Sequence, residues 1–293
     1  MSVTKKVQQI LAPAPAHMVG DGFKVHNFFP NGYNISNRRM SPFFMLDYNA
    51  KMELPPSDTP RGVGVHPHRG FETVTIAYHG SVAHGDSYGN SGIIGQGEVQ
   101  WMTAASGILH KEYHEENFSK TGGLFQMVQL WVNLPAKDKM STPKYQGITK
   151  EMMQASTYTF EGGTVEVIAG NYQNTKGAAS TFTPIELYNL RLKKGAVLEF
   201  DFPAQYNTGF LMIEGSAKLN DAETAPQDHF ALFTNEGTHI KLEALEDAVV
   251  LVLSGEPINE PIASYGPFLM NTQDELQQAV KDYNSGKFGI LKD

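Results

Sequence analysis

The sequence predicts an all-β protein, and three observations carry that expectation. Glycine (28) and proline (16) are plentiful, and they recur every few residues from Gly20 to Gly123. Between them lie short runs in which apolar and polar residues alternate, or in which apolar residues fill the run, as half-buried and fully buried strands do. Charged residues are only 18% of the chain, too few for many solvated helix faces. Many short strands with turn punctuation point to a barrel or a sandwich.

Taken in order, Phe71–Tyr78 sets Val74, Ile76 and Tyr78 on one face and Thr73 and Thr75 on the other, the pattern of a half-buried strand. Leu124–Val132 is denser and reads as buried on both faces, ending before Pro135. Residues 136–163 are mixed and read as a connection between halves, with a short irregular helix. Strand-like runs resume at Thr164–Ala169, Ile185–Leu192, Val197–Phe202, Gly209–Ile213, His229–Thr234 and Val249–Leu253. The tail differs. Thr272-Gln273-Asp274-Glu275 is a capping box, Leu276, Ala279, Val280 and Tyr283 follow at helical spacing, and Gly286 can end the helix.

The two halves echo each other. Tyr78–His84 resembles Ile213–Leu219, with a glycine turn between strands, and Glu98–Thr103 followed by Gly107 resembles Asp228–Phe233 followed by Gly237. Two similar barrels in tandem would explain this; the generic likeness of hairpins is the alternative.

Composition excludes several classes. The net charge is −8 and no basic run is longer than a pair such as Lys5-Lys6, so no direct nucleic-acid contact is expected. There is no cysteine, hence no disulfide, thiolate ligand or thiol nucleophile. No apolar stretch approaches the roughly 18 residues of a spanning helix, and the start lacks a signal-peptide apolar block. The expected location is cytoplasmic, with no membrane contact. G-x-S-x-G, the P-loop motif and H-E-x-x-H are all missing.

Chemistry concentrates in two local patterns. In His66-Pro67-His68 the imidazoles project to one side of an extended segment, and Pro67 favours that extension. In Gly107–Glu112, read as a strand, His110 and Glu112 share a face. If the two strands are neighbours, three neutral nitrogens and one carboxylate converge, a set suited to a divalent first-row metal with open positions. Hydrogen-bonded histidines inside a polar barrel are the alternative. His114 shares the parity of His110 and could line the pocket mouth, while His79 and His84 flank the Gly80 turn and read as surface residues. His229 and His239 have no neighbours at ligand spacing and read as structural. Arg61 and Arg69 read as salt-bridged or solvated, and Trp101 as core.

His66–Val74, Gln100–Ala104, Gly107–Glu112 and the tail Tyr265–Thr272 together resemble the pirin family of the cupin superfamily. The resemblance implies a bicupin, with two jelly-roll β-barrels in tandem: residues 1–140 holding the metal, and 141–293 without a metal site and ending in the helix. It implies His66, His68, His110 and Glu112 as ligands. Cupins at large take the carboxylate shortly after H-x-H, which here makes Glu72 the fallback. The implied ion is Fe(II), and the donor set would also accept Mn, Co, Ni, Cu or Zn.

Pirins of bacterial type are similar to quercetin 2,3-dioxygenases. That implies a flavonol bound through its deprotonated 3-hydroxyl, attack by O₂, and release of carbon monoxide and a depside. Glu112 would serve as ligand and as proton acceptor. Two rivals remain open: a redox-responsive iron protein regulating a protein partner, and another cupin activity or a vestigial site.

Overall fold

The computed structural model describes residues 3–33 and 35–293. The chain divides into two compact units. One comprises Pro15–Asn27, Phe43–Thr149 and Ile258–Asp293; the other comprises the segment up to Ala14, Phe28–Pro42 and Lys150–Pro257.

The first unit pairs a seven-stranded sheet with a four-stranded one. The large sheet runs Lys144–Ile148, Val99–Thr103, Phe71–His79, Gly123–Asn133, Phe43–Leu54, Phe23–Phe29, His17–Val19. The small sheet runs Gly62–His68, Ile108–His114, Val82–Asp86, Ser91–Ile94. The second unit repeats this plan. Its large sheet runs Val7–Leu11, Phe230–Phe233, Asn207–Glu214, Ala248–Gly255, Ile185–Leu192, Gly163–Ala169, Thr157–Phe160. Its small sheet runs Val197–Asp201, His239–Ala244, Ala217–Leu219, Glu223–Ala225. Antiparallel pairing recurs through all four sheets, and strands at matching positions follow the same chain order apart from one edge strand in each large sheet. The internal echo is therefore a duplication. Its glycine turns match as well: Gly80 and Gly215 have φ of 77° and 68°, a backbone region that glycine enters without strain.

The units are not the continuous halves expected from a boundary at 140. The edge strand Lys144–Ile148 pairs with Val99–Thr103 in the first unit, whereas Val7–Leu11 pairs with Phe230–Phe233 in the second. Each repeat thus lends the strand that precedes it to the other barrel. The C-terminal helix, Gln273–Asn284, also differs from expectation. Its capping box of Thr272 and Glu275 forms as predicted, but Leu276 and Ala279 bury against Ala263, Phe268 and Phe288 of the first unit. The short helix expected within residues 136–163 is present at Lys150–Ala155, and the segment also holds a 3₁₀ turn at Ala136–Asp138, the edge strand and the strand Thr157–Phe160. Among the described residues no helix is long and apolar enough to cross a membrane.

Strand Phe71–His79 is buried on both faces, not one. Its threonine face looks into the barrel, where Thr73 and Thr75 are buried as fully as Val74. The run Gly123–Asn133 departs the other way: Gln129 and Trp131 are half-buried because they line a cavity. The second barrel fills the matching interior positions differently. At the register positions that match His66, His68, His110 and Glu112 stand Leu198, Phe200, Leu242 and Ala244. These pack with Tyr188, Phe210 and Phe233 into one apolar core.

A buried ammonium fastens the first unit's tail. Lys139 Nζ donates to Gly70 O (2.7 Å), Asn133 Oδ1 (2.6 Å) and Leu269 O (2.8 Å). Arg69 reinforces the same join, bonding Ser106 O and Asp282 and lying 4.7 Å over the Phe288 ring. Lys139→Met would strand three acceptors in the interior. It should lower stability by about 3 kcal/mol, read as an earlier urea or thermal transition; a wild-type transition would contradict this role.

Candidate metal centre

The centre is built on the antiparallel pair Gly62–His68 and Ile108–His114. Gly62–His68 is the edge strand of its sheet, where Pro67 costs no ladder bond. Register sets His66 opposite His110 and His68 opposite Ile108. The ladder then slips, so that Glu112 faces Val63. This bulge adds one residue on the His66 side and lets Val63 and His66, three apart in sequence, both reach the same cavity.

The structure brings His66, His68 and His110 together. Their ring centroids lie 4.2 to 4.8 Å apart, and each offers a nitrogen within 4.8 Å of the others. His66 Nδ1 lies 2.8 Å from Gly64 O and His68 Nδ1 lies 3.4 Å from Pro267 O. A carbonyl can only accept, so each Nδ1 directs an N–H at its carbonyl, and Nε2 is the nitrogen left to face an ion. His110 is fully buried with no hydrogen-bond partner on either ring nitrogen. Burial, and then the neighbouring imidazoles, hold His68 and His110 well below the usual histidine range. Both are therefore neutral near pH 7, the form that binds a metal.

Glu112 belongs to a second, overlapping group with His84 and His110. Its Oε1 lies 3.2 Å from Thr75 Oγ1, and Gln129 Oε1 lies 2.8 Å from the same hydroxyl, whose single proton the two oxygens share. An interior that gathers imidazoles and a carboxylate, and leaves His110 without a partner, fits a divalent transition metal.

The centre opens on a cavity of about 300 Å³. Its walls are mostly apolar, with Phe23, Val25, Met45, Met127 and Trp131. Trp131 stacks on Phe71 at 4.1 Å and meets the His68 ring edge-on at 5.3 Å. Gln129 and Asp47, paired across adjacent strands, add a polar stripe. Asn27 donates to Asp47 Oδ1 at 2.7 Å, and burial raises the Asp47 pKa above the usual carboxylate range.

Other candidates fall elsewhere. His84 is buried beside His110, so its reading as a surface residue is corrected: its strand, Val82–Asp86, lies inside the small sheet and not at the turn. His114 does not line the cavity; its ring packs against Phe23 and Phe125, and its Nε2 lies 3.0 Å from Gly22 O. Arg69 is salt-bridged to Asp282 and Trp101 is core. Glu72 is buried, accepts from Thr103 Oγ1 at 2.7 Å, and joins neither ligand group. Thr75, Asp47, Gln129 and Trp131 were not singled out by sequence reasoning. Strand parity could have found Thr75 and Gln129 once the polar faces were known to point inward.

Two tandem barrels of this topology, one with a histidine-rich interior, define a bicupin. Residues 22–132 match the family model described as Pirin, and residues 187–289 match the one described as Pirin C-terminal cupin domain. The chain belongs to the pirin family. It is 46% identical to a Pseudomonas aeruginosa protein named "Putative quercetin 2,3-dioxygenase", over 97% of this chain and 98% of that one. It is 36% identical to a pirin-like protein of Solanum lycopersicum, over 86% of this chain and 84% of that one. The crystal structure of quercetin 2,3-dioxygenase from Acinetobacter baumannii superposes with a TM-score of 0.91 at 44% identity, covering 99% of this chain and all of that one.

Burial pushes the Glu72 carboxyl up to about 7. A folded-state pKa above the unfolded value means that the native state holds the proton more tightly between pH 4.5 and 7. Stability is then lost as pH rises through that window, by up to about 3 kcal/mol. Glu72→Gln should abolish this part of the decline, measured as the difference in unfolding free energy from wild type at pH 5 and pH 7.5. Parallel pH profiles for the two proteins would refute it.

Proposed function

We propose that this protein is a metal-dependent dioxygenase acting on a flavonol or a similar enolisable aromatic. The observation that carries the reading is the joining of two features: neutral imidazoles with a carboxylate at one end of a cavity, and aromatic and thioether walls along the rest. The names borne by the 46% and 44% identical relatives support the same reaction class.

His66, His68, His110 and Glu112 would hold one divalent ion, Fe(II) by preference. Bound there, it supplies Lewis acidity that lowers the pKa of a coordinated hydroxyl, and a route for electrons to O₂. The remaining work falls to the chain. Phe23, Met45, Met127 and Trp131 bind a flat apolar ring system and exclude water. Glu112, which lines the cavity with His66 and His68, takes the substrate hydroxyl proton. Thr75 steadies the Glu112 carboxylate from behind. Asp47, on the polar stripe, accepts from a hydroxyl on the far part of the substrate. Ring opening with loss of carbon monoxide is the outcome expected of a flavonol.

Elemental analysis after anaerobic purification tests the ligands. His66→Ala and His110→Ala should each lose most of the metal, and His229→Ala should keep it. Wild-type metal content in either of the first two would end the assignment. Glu112→Gln should cut turnover by at least about a hundredfold while losing less metal than either histidine variant. An O₂ electrode trace on adding quercetin reads the reaction itself: stoichiometric uptake is expected, and a flat trace from metal-replete protein would reject the activity.

A further inference from the structure

One imidazole beside the centre has no place in the proposed ligand set. His84 is buried, and both of its ring nitrogens lack a hydrogen-bond partner, as do both of His110's. The two rings lie 5.6 Å apart at 53°. Register sets Glu112 opposite His84 and His110 opposite Asp86, so these side chains come from one face of neighbouring strands. Tyr145 stacks on His84 at 5.4 Å and 14°, which fixes the ring plane. On the far side, His84 Nε2 lies 3.7 Å from Asp86 Oδ2. Asp86 is itself held by the backbone N–H groups of Tyr88 and Asn90 and by the Asn90 amide.

A metal-bound imidazole has one nitrogen on the metal, and its other N–H needs an acceptor that orients the ring. His66 has Gly64 O and His68 has Pro267 O. His110 has no carbonyl in that role, and the group next to it outside the ligand set is His84. We propose that His84 is the positioning residue of this metal centre. Its Nδ1 accepts the outer N–H of His110 when metal is bound, and its own Nε2–H is directed at Asp86. His84 Nε2 lies beyond hydrogen-bond length of Asp86 at 3.7 Å and His110 has no partner here, so the proposal requires the two rings to move together when metal binds. The inference rests on the reading of His110 as a ligand.

The test uses the full-length protein stripped of metal, with Co(II) as the probe. Affinity is read by competition with a chelator, and geometry from the visible ligand-field bands. His84→Phe keeps the ring shape and removes both nitrogens. It should weaken Co(II) binding by about tenfold to a hundredfold and change the bands. His84→Gln keeps an acceptor and should restore affinity to within about threefold of wild type. The metal-free melting temperature should not fall in His84→Phe, since the change replaces an unpartnered polar ring with an apolar one. Wild-type affinity and bands in His84→Phe would overturn the proposal. Wild-type affinity in His110→Ala would instead overturn the ligand assignment beneath it.

A measurement on the unmutated protein covers the case in which the variants do not fold. In ¹⁵N-histidine-labelled protein loaded with Zn(II), the outer N–H of His110 should be protected and coupled to a nitrogen of His84. A freely exchanging His110 N–H, or a His84 nitrogen bound to zinc, would refute it.

Discussion

The structure turns on one strand pairing. When Gly62–His68 lies antiparallel to Ile108–His114 in the observed register, two imidazoles from one strand meet a third from the next. The rest follows from burial. In water three such rings would share protons and drift apart. Inside the barrel, desolvation and mutual repulsion keep His68 and His110 uncharged. The carbonyls of Gly64 and Pro267 then decide which nitrogen of His66 and of His68 stays bare. A slip of one residue would turn His66 and His68 to the opposite face. The bulge between His110 and Glu112 is the local cost of admitting a carboxylate to the same neighbourhood.

The sister barrel shows what that pairing displaces. With the same strand order, it fills the matching positions with Leu198, Phe200, Leu242 and Ala244 and closes on itself. Its interior is dense with aromatic rings, and its cavity of about 250 Å³ beside Tyr172, Tyr188 and Phe200 is lined by no histidine. The first barrel forgoes that packing at its centre and is tied from outside, by Lys139 and Arg69. One architecture thus takes two forms, an apolar core in one copy and a histidine-lined cavity in the other.

Much of the side-chain cluster was legible in the sequence, because strand period is arithmetic: residues two apart share a face, whatever the tertiary setting. His66 with His68, and His110 with Glu112, needed nothing more. The C-terminal helix announced itself by its cap for the same local reason. Features set by distant partners were not legible. His84 looked like a turn residue until its strand proved interior to the small sheet. The threonine face of Phe71–His79 looked solvated until the barrel enclosed it. The exchange of edge strands could not be seen at all, since Val7–Leu11 meets its partner more than two hundred residues later.

That exchange has a consequence for the history of the chain. A gene cut between the two repeats would leave each product missing a border strand and carrying one that belongs elsewhere. The bared backbone groups would offer themselves to any passing polypeptide. The two copies are therefore tied into one chain, because each sheet is completed by the segment that introduces the other repeat.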